Sequence, residues 1–172
     1  TARPNVARTV EGDFELTVRI LHNVPGGKDH AAAFEEEPTM AAGIAMHRAD
    51  GKRGSLVVVN QVTKCERACH NYFKWEAVYE AKGARRTPGD VGSHVQFKGT
   101  PVYLRLIRKG DEFTAARSTD GKEWKAAFEE ESFEVPGLGS VQVGPVVAHN
   151  TNAQYEVTFD EYTLTIPGEK KK

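Results

Sequence analysis

Two cysteines and a histidine sit together in Thr63-Lys64-Cys65-Glu66-Arg67-Ala68-Cys69-His70, and the chain has no other cysteine. Three chemistries use such a cluster. A Cys65–Cys69 disulfide would tie the loop between a strand ending at Val62 and one beginning at Tyr72, and such bridges persist outside the reducing cytosol. Covalent haem attachment uses Cys-x-x-Cys-His; this run is one residue longer, and the spacing of the remaining His and Met residues marks no second axial ligand. As metal ligands, Cys65, Cys69 and His70 lack the second cysteine pair that completes a tetrahedral site. The disulfide is the expectation, with free thiols, a c-type haem carrier and a metal site as alternatives. No cofactor and no metal are expected.

Holding a sugar takes an aromatic face for the apolar side of the ring and rigid polar groups for its hydroxyls. Trp75, Tyr103, Arg105, Arg117, His47, His149 and Asn150 are the residues of those types that come forward as ligand-binding candidates. Tyr103 and Arg105 share one strand face, opposite Leu104 and Leu106, because side chains alternate with a period of two. Trp75 alternates with Phe73 and Tyr79, so it fits a core equally well. Glycoside cleavage needs two carboxyls held at a fixed separation across the sugar. Glu35-Glu36-Glu37 and Glu129-Glu130-Glu131 do not preset that geometry, since neighbours on a strand face opposite ways and in loops they splay. No nucleophile elbow, phosphate loop, His-Glu-x-x-His or dinucleotide fingerprint occurs, and histidines 22, 30, 47, 70, 94 and 149 are scattered. No catalytic residue is assigned.

The elements that would position these residues are strands. Phe14, Leu16, Val18 and Ile20 alternate with Glu15, Thr17 and Arg19, which indicates a half-buried strand over 13–20. Residues 43–48 and 54–62 form a hairpin around Asp50-Gly51. Residues 72–80 alternate again, and 101–109, 112–118 and 123–128 follow with short turns at Gly110-Asp111 and Asp120-Gly121. Residues 140–149 and 154–166 close the chain, with Val157, Phe159 and Leu164 facing inward. Residues 23–40 and 83–99 read as long loops, the first with one helical turn near 31–36. About nine strands with no amphipathic helix argue an all-β fold, an antiparallel β-sandwich with little helix.

Composition sets the frame. The chain has 172 residues, which suits one domain, expected over 1–167 with a basic tail at 168–172. Sixteen glycines and eight prolines supply the turns that many strands need. Lys and Arg number 23 against 24 Asp and Glu, so no basic excess exists to neutralise phosphates and nucleic acid is not an expected partner. No apolar run is long enough to span a membrane as a helix. The chain starts at Thr1 rather than Met, so a cleaved leader or a longer parent protein is expected.

The stretch Val102 to Ala115, with Gly110-Asp111 at its turn, followed by Ser118-Thr119-Asp120-Gly121-Lys122-Glu123-Trp124, resembles the bacterial concanavalin-A-like, laminin-G-like jelly-roll domains. Those carry a strand, a Gly-Asp turn, a second strand and a Ser-x-Asp-Gly-x-x-Trp turn. Val10 to Leu16, Ala42 to Arg48 and Val141 to Tyr162 fit their other strands. The resemblance implies a two-sheet jelly roll. The Glu-x-Asp-x-Glu strand of laminarinase-type glucanases is absent. Hydrolases of 3-keto-disaccharides are similar at 43–48, but Ala41-Ala42 stands where they carry Asn-Ser. The expected role is a non-catalytic carbohydrate-binding module of a secreted, extracytoplasmic protein, with a polysaccharide and neighbouring domains as partners. The alternatives are a glycoside-active enzyme using His47, Arg48 or a loop carboxylate, and a structural or protein-interaction domain.

Overall fold

Along 102–108, Val102, Leu104, Leu106 and Arg108 are buried while Tyr103, Arg105 and Ile107 stay partly exposed. The same alternation runs from Phe14 to Ile20. Apolar residues spaced by two are what let a strand cover a core with one face. The computed structural model describes residues 7–23, 39–52, 54–64, 69–79, 85–86, 91–94, 101–127, 132–149 and 156–168. They form β1 (Arg8–Val10), β2 (Phe14–Asn23), β3 (Thr39–Arg48), β4 (Gly54–Lys64), β5 (Cys69–Tyr79), β6 (Arg85–Arg86) and β7 (Val91–His94). After these come β8 (Val102–Lys109), β9 (Glu112–Ser118), β10 (Lys125–Ala126), β11 (Phe133–Glu134), β12 (Val141–His149) and β13 (Glu156–Thr165). No helix occurs among the described residues.

The strands make two antiparallel sheets. One has seven strands, ordered β1-β12-β3-β4-β5-β6, with β7 also on β5. The other has six, ordered β10-β9-β8-β2-β13, with β11 on β9. The crossings between sheets, such as β2 to β3 and β12 to β13, make this a jelly-roll β-sandwich. Between the sheets lies one core: Phe14, Leu16 and Ile20 from β2, Leu104 and Leu106 from β8 and Phe113 from β9 meet Ile44, Met46, Leu56 and Val58 of the facing sheet. Each such side chain, fully buried, stabilises the fold by about 1.5–3 kcal/mol. Val157, Phe159 and Leu164 pack against this core from β13. Val157 and Phe159 do so by the period of two, and Leu164, five residues beyond Phe159, joins them because the strand skips register between Asp160 and Thr163.

Turn chemistry holds as the sequence implies. Gly51, Gly110 and Gly121 all take positive φ (74°, 62° and 73°), a region that favours a residue without Cβ. Lys109 pairs with Glu112, so Gly110-Asp111 is a two-residue hairpin loop. Gly43 answers a different need. A Cβ there would sit 2.7 Å from the Cα of Val59 on β4, so only glycine fits the ladder at that point.

One end of the sandwich is closed by the segment 135–139. Val135 and Leu138 are buried in it. Arg108, itself buried, donates to the carbonyls of Gly110 (2.8 Å) and Gly139 (2.7 Å). Arg48, on the other sheet, donates to the Gly137 carbonyl and is held by Asp50 at 2.9 Å. Burial lowers the pKa of Arg108. The Arg48 guanidinium holds the Asp50 carboxyl well below the usual carboxylate range.

The strand boundaries differ from the sequence expectation where elements are short or lengthened by pairing. Residues 83–99, which read as loop, contain β6 and β7, and β1 and β11 carry no signal in the sequence; two to four residues show no readable period. The strand expected over 123–128 is only Lys125–Ala126. Strand β5 starts at Cys69 rather than Tyr72, because the β4 ladder continues to Lys64 opposite Cys69. The loop at 24–38 with its Glu35-Glu36-Glu37, the Glu129-Glu130-Glu131 cluster and the tail from 169 lie outside the described residues.

Candidate functional site

The outward face of the six-stranded sheet is written by register. Ser118, Tyr103, Arg19 and Asp160 lie side by side across β9, β8, β2 and β13. The next row is Ala116, Arg105, Thr17 and Thr163, and the one after is Thr114, Ile107, Glu15 and Thr165. Because Leu16, Val18, Leu104 and Leu106 turn inward, these residues turn out.

Arg105 is the centre of one group. Its guanidinium carbon stacks 3.8 Å from the centroid of the Trp124 ring, a cation–π contact. Its Nε donates to Thr17 Oγ1 at 3.3 Å and pairs with Glu15 Oε1 at 3.1 Å. Trp124 reaches this position through the turn that follows β9. Asp120 Oδ1 accepts from the amides of Lys122 (2.8 Å) and Glu123 (3.0 Å) and from Ser118 Oγ (2.9 Å). Those bonds, the Lys122 amide first, bring the Asp120 pKa down to about 2. Gly121 packs on the Tyr103 ring, where an added Cβ would lie 3.0 Å from the nearest ring carbon.

Tyr103 and Arg19 form the second group. Arg19 Nη1 donates to Glu161 Oε1 at 2.9 Å and to Asp160 Oδ2 at 3.3 Å. The Tyr103 hydroxyl donates to the same Glu161 oxygen at 3.3 Å. Partial burial raises the Tyr103 pKa, and the Glu161 charge raises it further, so the phenol stays a donor. Glu161 is placed by a bulge: β13 skips register between Asp160 and Thr163, and Glu161 takes φ 49°, the one positive-φ residue other than glycine among the described residues.

The predicted residues do not gather in one place. Tyr103 and Arg105 lie together on this face. Arg117 occupies the register position opposite Leu104, on the core-facing side of β9, and is half-buried. His47 lies on β3 between Gln142 and Ser55, half-buried. It alternates with core residues Ile44 and Met46, so it belongs to the outward face of the seven-stranded sheet, across the core from Tyr103. The backbone of Trp75 pairs with Val58 and that of His149 with Met40; their side chains, like those of Cys69 and His70, lie outside the described residues. Asn150 and Cys65 lie outside them entirely. Among the described residues no group of His, Cys, Asp or Glu could hold a metal.

Residue type and spacing alone do not single out Arg19, Glu15 or Glu161 as site residues, and Trp124 comes forward only as the last residue of the Ser-x-Asp-Gly-x-x-Trp turn. Glu15 and Arg19 stand on the polar face of the first alternating strand, so a signal for them exists. Glu161 is not singled out: the change of parity between Phe159 and Leu164 marks a break in β13, but the pairing with β2 decides which residue the bulge re-aims.

With this geometry in place, the likeness to known proteins is one of fold. No family model matches the sequence, and no curated protein matches it significantly. A functionally unknown protein from Saccharomyces cerevisiae superposes with a TM-score of 0.64 at 17% identity, over 94% of this chain and 73% of that one. The CBM2 module of the Lactobacillus casei BL23 phage J-1 evolved Dit gives 0.54 at 8% identity, over 92% of this chain and 66% of the module's. The family 7 alginate lyase A1-II', solved as its Y284F variant with product, gives 0.53 at 10% identity, over 93% and 65%. The chain thus spans just under two thirds of the phage module and of the lyase. All three support the jelly-roll sandwich.

Proposed function

We propose that this chain is a non-catalytic carbohydrate-binding module, related in fold to the concanavalin-A-like and laminin-G-like domains, and that it binds glycan on the outward face of its six-stranded sheet. The observation that carries this reading is the Arg105–Trp124 stack, pinned by Glu15 and Thr17 and set beside Tyr103, Arg19 and Glu161. It supplies planar hydrogen-bonding groups held at fixed positions next to aromatic carbon, so little side-chain entropy remains to be lost when a ligand arrives. The fold likeness to a module named for carbohydrate binding and to an alginate lyase agrees with a sugar-directed role.

The test is affinity electrophoresis of the intact chain through gels holding individual neutral and acidic polysaccharides. The wild type is expected to be retarded by at least one. Arg105→Ala is expected to lose most of that retardation while its far-UV spectrum stays that of the wild type. Migration unchanged by every polysaccharide would refute the binding reading. Release of new reducing or unsaturated ends in the same mixtures would replace it with an enzyme.

The same proposal makes residues 1–167 one domain of a secreted or periplasmic protein, with Cys65 and Cys69 joined. By the loop-entropy argument so short a link contributes about 2 kcal/mol. Thiol titration of the unfolded, unreduced chain is expected to find no free thiol; two free thiols would place the chain in a reducing compartment.

A further inference from the structure

The row that crosses the bulge carries more information than a surface for sugars in general. Glu161 holds φ 49°, a left-handed backbone that residues with a Cβ adopt at a cost and that glycine takes freely. Glycine occupies that region at seven other places among the described residues, so the sequence has the usual solution available and does not use it here. What the strained residue supplies is a carboxylate, aimed at Arg19 Nη1 (2.9 Å) and the Tyr103 hydroxyl (3.3 Å), with just over half of its side chain open to water. Bulges re-aim side chains, and strain retained at a single residue marks a group whose chemistry matters.

Charge narrows the ligand. The two groups hold two guanidiniums, Arg19 and Arg105, and three carboxylates, Glu15, Asp160 and Glu161. Each guanidinium already has a carboxylate within 3.3 Å, so no cationic valence is left over for an acidic polymer. A carboxylate with open lone pairs beside a phenol and a guanidinium suits vicinal hydroxyls, which donate and accept together.

Resting on the carbohydrate-binding reading above, we infer that Glu161 is a specificity-determining residue of this face and that the ligand class is a neutral, hydroxyl-rich polysaccharide rather than a uronic-acid polymer. Vicinal hydroxyls donate to Glu161 while Arg19 and Tyr103 hold the carboxylate in place. A polyuronate meets the excess carboxylate and is repelled.

Glu161→Gly separates this from a structural bulge. Glycine relieves the backbone and removes the carboxylate. The expected result is a thermal midpoint equal to or above that of the wild type, with at least tenfold weaker retention by the neutral polysaccharide that holds the wild type. Retention of the wild type is expected to be insensitive to added salt. If E161G fails to fold, Glu161→Gln makes the same comparison: it keeps the strained backbone and one acceptor and loses the charge, and is also expected to bind more weakly. Unchanged retention of the folded variant would overturn the role of Glu161. Salt-sensitive retention of the wild type by polygalacturonate or alginate, with none by neutral polymers, would overturn the ligand class and leave the carbohydrate reading standing. Retention by no polysaccharide would remove both.

Discussion

Single residues do two separable jobs in this chain, shaping the backbone and presenting polar groups, and Asp120 shows how the first serves the second. Its carboxylate gathers the turn that delivers Trp124 to Arg105. Its pKa falls from the ordinary 3.8 to about 2 on folding, so between those values the unfolded chain binds the proton more tightly. Stability from this group is therefore complete above pH 3.8 and is lost as pH falls towards 2. Urea midpoints measured from neutral pH downwards are expected to drop more steeply through that window for the wild type than for Asp120→Asn. Gly43 shapes the backbone by its bareness. Gly43→Ala sets a Cβ against the Val59 backbone, and the shift this forces is expected to cost about 1–3 kcal/mol, read as a lower denaturant midpoint with an unchanged slope. The turn residues are legible in the sequence itself: Asp50-Gly51, Gly110-Asp111 and Ser118-x-Asp120-Gly121 each carry a residue type that one backbone conformation demands. Gly43 is not, since its constraint comes from a neighbouring strand that no local pattern places against it.

Elements divide in the same way between what local order fixes and what pairing fixes. Strands β2, β8 and β9 announce themselves because their alternation runs through most of their seven to ten residues. The two-residue β6 and β11 cannot, since a period needs repeats to be seen, and β10 is expected at greater length than its two residues. The Asp160–Thr163 bulge is only half visible: the change of parity between Phe159 and Leu164 marks a break in β13, while its exact place is set by the pairing with β2. The segment 135–139 is the clearest case of an element built by its surroundings, closed over the core by Leu138 and anchored by Arg48 and Arg108 from opposite sheets. Leu138 is 1% exposed, so Leu138→Ala leaves a cavity at the end of the sandwich. The expected cost is about 2–5 kcal/mol, measured by thermal or urea unfolding, with glycan retention by the folded fraction unchanged. Removing the Arg108 side chain strands two carbonyls that now have a charged donor, and an effect of similar direction is expected.

At the scale of the molecule, one core serves two outward faces that cannot cooperate in a single site. His47 stands on the seven-stranded sheet and Tyr103 with Arg105 on the six-stranded one, so candidates gathered by residue type mix the two sides. The fold class is legible from alternation, turn residues and the lack of helical periodicity. The site is half legible: Tyr103 and Arg105 follow from strand parity, while their partners depend on the order β9-β8-β2-β13, which no local pattern records. Which face binds is therefore the decisive question. Amide and side-chain NMR correlation spectra, recorded while the intact chain is titrated with an oligosaccharide of the polymer that retards it, answer it residue by residue. Binding on the six-stranded sheet is expected to shift the Trp124 indole N–H, Arg105 Nε, Tyr103 and Glu161, with His47, Ser55 and Gln142 unmoved. Shifts at His47, Ser55 and Gln142, with Trp124 and Arg105 silent, would contradict it.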